Sequence, residues 1–329
     1  MIIGRAPLRV SFVGGGSDLP VFYREHGGAV ISTAINKYVF VTINRKFDNG
    51  VRVAYSRTEE VSSASEVQHP LVRAALNVVG IEGGVEITTV ADIPSRGSGL
   101  GSSSTFTVAL LHGLYAYRGR YVRSRTLAEQ ACHVEINMCG EPIGQQDQYA
   151  AAFGGFHVYE FRPDDTVIVS PVICQPTTLQ RLNERLLLLY TGVTRSASAL
   201  LKEQSAQIAS SPEKRAALKR MVSLCYQLRD VIQNGNLDAF GEILHEGWVL
   251  KRSLSNNISN SAIDEWYEVA RRHGATGGKI LGAGAGGFLA IYAPPERHPA
   301  ICHALPALRS VPMKFERQGS QIIFYQPNV

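Results

Sequence analysis

The chain has 329 residues, 33 of them Lys or Arg and 28 Asp or Glu, for a formal charge of +5. No basic run concentrates that excess, which argues against a nucleic-acid arm and leaves a mild field suited to anionic substrates. With 45% hydrophobic and 19% charged residues, the composition excludes disorder and allows two domains or one large one. No apolar run is long enough to span a bilayer, and MIIGRAPLRVSF lacks a charged segment followed by an apolar one. Neither a membrane segment nor a signal peptide is expected. Five widely spaced cysteines without a CxxC pair fit reduced thiols and a cytoplasmic location better than a disulfide framework.

In chain order, PLRVSFVGGG reads as a strand entering a glycine turn, and AVISTAINKYVFVTINRKF as two strands with little between them. VRVAYS and GVEITTVAD, rich in Val, Ile and Thr, are further strands. Serines at 102–104 are placed to cap a helix with Phe106, Ala109, Leu110 and Leu114 at helical spacing. A second helix is expected from Thr126, where T-L-A-E forms a capping box, with Leu127, Ala131, Val134 and Met138 on one stripe. FHVYEF and VIVSPV are strands around the turn RPDDT, and ERLLLLYTGV opens the second half as another. Helices follow over roughly 196–209, 212–234, 236–252 and 261–273, with Pro212 and Gly235-Asn236 as punctuation. KILGAGAGGFLAIYAP and a closing pair of strands, PMKFER and SQIIFYQP, complete the chain. Strands on both sides of a helix block imply a second α+β domain beginning near residue 182.

Three glycine-rich stretches interrupt this pattern, at 14–16, 97–101 and 282–287. Each alone reads as a tight turn. One leads into a helix start, where unpaired N–H groups and the helix dipole accept phosphate, and glycines let the main chain approach it. No GxxxxGK[ST] is present, nor the HRD and DFG motifs of protein kinases, nor HExxH or GxSxG. His133-Val134-Glu135 has the H-x-E of zinc deaminases without the PCxxC partner. Gly282, Gly284 and Gly287 spell GxGxxG, but FLAIYA after them is a strand pattern, so no dinucleotide fold follows.

The stretch PSRGSGLGSSS, residues 94–104, resembles the central ATP motif of the GHMP kinases, P-x-x-G-x-G-L-G-S-S. GRAPLRVSFVGGGSD resembles that family's first motif and KILGAGAGGFL its third, in the same order. GGGSDLPVFY, EPIGQQDQYAAAFGGF and YTGVTRSAS are most similar to the sugar 1-kinases of the superfamily, above all those acting on heptose 7-phosphate and less closely fucokinases. The resemblance implies an α+β, two-domain GHMP kinase fold: residues 1–181 similar to ribosomal protein S5 domain 2, residues 182–329 ferredoxin-like. It implies ATP and Mg²⁺ as cofactors, a sugar phosphate as substrate, and transfer to the anomeric hydroxyl. The product would feed nucleotide-activated heptose and surface polysaccharide synthesis. Neither nucleic acid nor membrane is an expected partner; a homo-oligomer stays open. A sugar sensor that kept the fold and lost catalysis is the alternative of another class.

Residue by residue, the resemblance implies a triphosphate cradle from Gly97, Ser98, Gly99, Leu100, Gly101, Ser102, Ser103 and Ser104. Ser103 and Glu135 would hold the metal, although a surface Glu on an amphipathic helix gives the same local sequence. Asp147 would accept or orient the acceptor's proton, with a helix N-cap as the competing reading, and Arg9 would neutralise developing charge. Ser17 and Asp18 would meet sugar hydroxyls, with an Asx turn as the alternative for Asp18. Lys37, Arg195 and Ser196 are candidates for the substrate's own phosphate, and Gly282 and Gly284 for the wall of the cleft.

Overall fold

The computed structural model describes residues 1–94, 97–194 and 197–327. The described residues form two sheets with helices packed on them. The first strand, β1 (Ile2–Val13), is almost wholly buried, as its apolar run requires. A short helix, α1 (Pro20–His26), leads to β2 (Gly28–Arg45). β2 is one strand of 18 residues where the sequence suggested two. The reason lies in its partners: nothing at Asn36-Lys37 turns the chain, and β1 pairs with both halves across a bulge there. The two halves part company only on the other side, where each pairs with a different strand.

β3 (Val51–Ala54), β4 (Thr58–Val61), α2 (Pro70–Val79) and β5 (Val85–Ala91) follow. Next come α3 (Ser102–Tyr117), α4 (Ser124–Cys132) and a π-helical segment, His133–Met138. α5 (Gln146–Phe153), β6 (Phe156–Phe161) and β7 (Val167–Pro171) complete the first half. β6 takes the 28–33 end of β2 and β5 takes the 39–45 end. The eight-stranded sheet runs β12-β1-β2-β5-β3-β4, with β6 and β7 branching from β2.

The second half begins with α6 (Pro176–Glu184) and β8 (Leu186–Tyr190). The helix block is α7 (Ala197–Ser210), α8 (Pro212–Gln233), α9 (Leu237–Ser253) and α10 (Ser261–Arg272), within a residue or two of the sequence reading. β9 (Gly277–Ile280), β10 (Phe288–Tyr292), α11 (His298–Ala304), β11 (Arg309–Ser310) and β12 (Gln321–Tyr325) end the chain. β11, β8, β10 and β9 form a separate antiparallel sheet. The expected closing pair does not form: Phe315 makes only a bridge to Ile35, and β12 crosses back to pair with β1. The last strand therefore completes the first sheet. Among the described residues no helix is long and apolar enough to cross a membrane.

Two helix starts differ from the reading by propensity. α3 has Gly101 at its N-cap with no side-chain cap, so Ser102, Ser103 and Ser104 do not cap it. α4 begins at Ser124, and the T-L-A-E box makes no capping bond. Met138 is also turned out, at 41% exposure, because the π segment winds more widely than an α-helix and breaks the stripe. One continuous apolar core joins the halves. Phe12 of β1 meets Phe240 of α9 edge to face, with ring centres 5.3 Å apart. Such a pair adds about 0.5–1.5 kcal/mol beyond area burial and ties the walls of the cleft together.

Candidate active site

The glycine loop before α3 is held from below. The Arg9 N–H of β1 donates to the Leu100 carbonyl at 3.1 Å, and the Leu100 side chain is buried in the core. Leu100 therefore anchors the loop and does not line the cavity. Gly97, Gly99 and Gly101 have φ of 66°, 76° and 79°, while Ser98 and Leu100 between them are not in the left-handed region. Alternation of this kind turns successive N–H groups to one side, making an anion-binding concavity. The uncapped start of α3 adds the N–H groups of its first turn. The serine hydroxyls are used elsewhere. Ser98 and Ser102 bond each other at 2.8 Å, and Ser103 donates to Glu135 Oε1 at 2.9 Å.

The third glycine stretch closes on the first. Gly282 approaches Gly99 so nearly that a Cβ on Gly282 would lie 2.6 Å from Gly99 Cα, and one on Gly99 would run into the Leu281 carbonyl. Gly282 lines the cavity; Gly284 stands behind it against Ile258. Strand β10 follows, so the GxGxxG spacing there is that of a sheet turn. Gly99→Ala is expected to cost about 1–3 kcal/mol from its left-handed φ alone. Displacement of the loop should also raise the KM for nucleotide at least about tenfold. Thermal unfolding and steady-state kinetics check both; an unchanged KM would refute the loop's role.

A cavity of about 560 Å³ lies between these loops. At its floor Arg9, 3% exposed, grips Asp147 with two bonds, Nε to Oδ1 and Nη2 to Oδ2, each 2.8 Å. Its third nitrogen, Nη1, donates to the Gly99 carbonyl at 2.6 Å. One guanidinium thus fixes the carboxylate against the phosphate-type loop. Asp147 is the second residue of α5, not its N-cap, which is Gln145.

Asp18 lines the same cavity, 3% exposed, accepting from the Gly16 N–H at 2.9 Å. Burial raises its pKa, the Gly16 bond lowers it and the neighbouring Asp147 raises it again. Ser17 next to it is fully buried, with its hydroxyl bonded to the Ala29 backbone, so it pins the turn and does not reach the cavity. Glu135 reaches the cavity from the π segment. Burial pushes its pKa up to about 7 despite bonds from Ser104, Gln148 and Ser103.

Lys37 is partly buried at the β2 bulge and lies outside the cavity. Arg195 and Ser196 lie outside the described residues. Besides Arg9, the cations among the described residues that do line the cavity are Lys251 of α9 and Lys279 of β9, each 4% exposed. Sequence reasoning passed over both. The signal was there: Lys251 continues the buried stripe of Leu244 and Trp248, and Lys279 sits within the wholly buried strand GGKI. Burial lowers the Lys251 pKa to about 8, with Asp18 opposing.

A family model described as GHMP kinases N terminal domain matches residues 67–155, and one described as GHMP kinases C terminal matches residues 228–308. Together they cover just over half of the chain. The chain belongs to the GHMP kinases. This GHMP kinase is 26% identical over 313 residues to the D-glycero-alpha-D-manno-heptose 7-phosphate kinase of Campylobacter jejuni, with 92% of each covered. It is 29% identical over 311 residues to the bifunctional fucokinase/GDP-fucose pyrophosphorylase of Arabidopsis thaliana, covering 87% of this chain and 29% of that one. The crystal structure of a D-glycero-D-manno-heptose 1-phosphate kinase from Bacteroides thetaiotaomicron matches with a TM-score of 0.79 at 25% identity, with 98% of each chain covered. The GHMP kinase is thus a sugar kinase of the two-domain fold, transferring phosphate to a hydroxyl.

Proposed function

We propose that this kinase transfers the γ-phosphoryl group of ATP to the anomeric hydroxyl of D-glycero-D-manno-heptose 7-phosphate. The observation that carries the reading is the Arg9–Asp147 pair tied to the Gly99 carbonyl, which sets a carboxylate beside a loop built for phosphate. In a loose transition state the attacking hydroxyl keeps its proton until late, so the carboxylate must be well placed more than strongly basic. Asp147 orients and finally accepts that proton, Arg9 holds it in place, and the N–H groups of 97–104 receive the triphosphate. Asp18 takes sugar hydroxyls. The 1,7-bisphosphate product suits a route to nucleotide-activated heptose.

For Mg²⁺ the donor set fits. Glu135 and the Ser103 hydroxyl are hard oxygen donors on the cavity wall. Gln148 donates to Glu135 Oε2 at 2.6 Å, and the other end of its amide, Oε1, is buried without a partner. Among the described residues no group of three or more His, Cys, Asp or Glu side chains converges, so the ion would draw its other ligands from nucleotide and water. When bound, it would neutralise phosphate charge.

An ATP-consumption screen over free and phosphorylated sugars tests the reading, with phosphorus NMR locating the new ester. Turnover of the heptose 7-phosphate with a new anomeric phosphate is expected. Turnover of fucose with none of any heptose phosphate would replace it with the second reading, a fucokinase, which the 29% identity to the Arabidopsis enzyme favours. A non-catalytic sensor is disfavoured by the retention of both Asp147 and Glu135 on the cavity wall.

A further inference from the structure

The charges in the cavity do not balance by pairs. Arg9 is spent on Asp147 and Gly99. Lys251 donates to the Gly15 carbonyl and to Gln204 Oε1, both at 3.1 Å, and Asp18 acts on it through space without an ion pair. Lys279 has no hydrogen bond or ion pair to any described residue, yet it is 4% exposed and faces the cavity. Its electrostatic neighbours are two more cations, Lys251 and Arg9, and the thiol of Cys225. Burial and those cations hold its pKa down to about 7. A buried ammonium without a counter-charge is costly to the fold. Uncharged sugar hydroxyls and the N–H groups of the glycine loop do not supply that charge, so it has to come from a phosphate group in the cavity.

We propose that Lys279, with Lys251 beside it, binds the phosphate that the acceptor sugar already carries. This rests on the reading of the acceptor as a sugar phosphate and deepens it: the lysines of α9 and β9, not Lys37, make the kinase choose a phosphorylated sugar. Lys251 lies against the 15–18 turn that carries Asp18, which keeps the pair on the sugar side of the cavity. A dianionic phosphate between the two ammonium groups gives Lys279 the counter-charge it lacks, whereas an unphosphorylated sugar leaves it without one.

The test is steady-state kinetics of wild type, Lys279→Met and Lys279→Arg on a sugar phosphate that the wild type turns over and on its unphosphorylated parent. Lys279→Met is expected to raise the KM for the sugar phosphate about 30-fold. The preference for it over the parent should fall by a similar factor, with the KM for ATP within about twofold. Lys279→Arg should recover part of that preference. In a thermal-shift titration, inorganic phosphate should stabilise the wild type and not Lys279→Met. An unchanged KM for the sugar phosphate in Lys279→Met would overturn this proposal and leave the acceptor reading standing. An equal fall in kcat for both acceptors would overturn it too, assigning the lysine to the transferred phosphoryl group. Wild-type turnover confined to unphosphorylated sugars would remove both. Should Lys279→Met fail to fold, Lys251→Met read in the same assays decides.

Discussion

Asp147→Asn is expected to lower kcat about a thousandfold while nucleotide affinity stays within about threefold. The carboxylate is held by two 2.8 Å bonds from Arg9, so its position is fixed before substrate arrives. Asn keeps the shape but turns a donor toward the guanidinium and offers the acceptor hydroxyl no proton sink. The loss belongs in kcat because the interaction is made fully only as the proton leaves. Single-turnover kinetics, with titration of a non-hydrolysable ATP analogue, separates the two quantities. Retention of more than about a tenth of wild-type kcat would refute the role given to Asp147.

Glu135→Gln is expected to move activity and stability in opposite directions. The Glu135 carboxyl has a pKa near 7 in the folded chain against 4.5 in its ordinary state, chiefly through burial. Between those values the folded chain holds the proton and the unfolded chain does not, so stability falls as pH rises through that window. Above pH 7 the full deficit of about 3 kcal/mol is present, and below pH 4.5 it is absent. Gln carries no charge to desolvate. The ligand-free variant should therefore unfold about 5 °C higher than wild type at pH 8, and no higher at pH 4. Turnover should meanwhile fall at least about a hundredfold, because an amide is a poor partner for a divalent cation. Scanning calorimetry at the two pH values and a magnesium titration of activity are the measurements. A variant less stable at pH 8, or fully active, would contradict this account.

Much of the site was legible because the chemistry demands residue types at local spacing. Glycines at 97, 99 and 101 are needed where the backbone must alternate its sign of φ, and the structure has positive φ at all three. Arg9, Asp18, Glu135 and Asp147 were each visible as single residues, and all four line one cavity. The misreadings came where a distant partner overruled a local preference. Serines before a helix favour capping, yet Ser103 turns to Glu135, 32 positions away. AVISTAINKYVFVTINRKF suggested two strands, yet β1 pairs along both halves and β2 runs straight through. SQIIFYQP prefers extended structure, and that was right; its partner, β1, lies at the other end of the chain.

The amino-acid sequence by itself determined the glycine loops, the order of most strands and helices, and the acids available for phosphoryl transfer. These follow from φ preference, apolar periodicity and side-chain chemistry, which act over a few residues. The tertiary structure alone decided that Gly99 meets Gly282, that one arginine serves both Asp147 and the loop, and that Lys251 and Lys279 turn inward together. Those outcomes depend on which surfaces the core brings together, and a charge has a defined environment only once its neighbours from distant parts of the chain are in place.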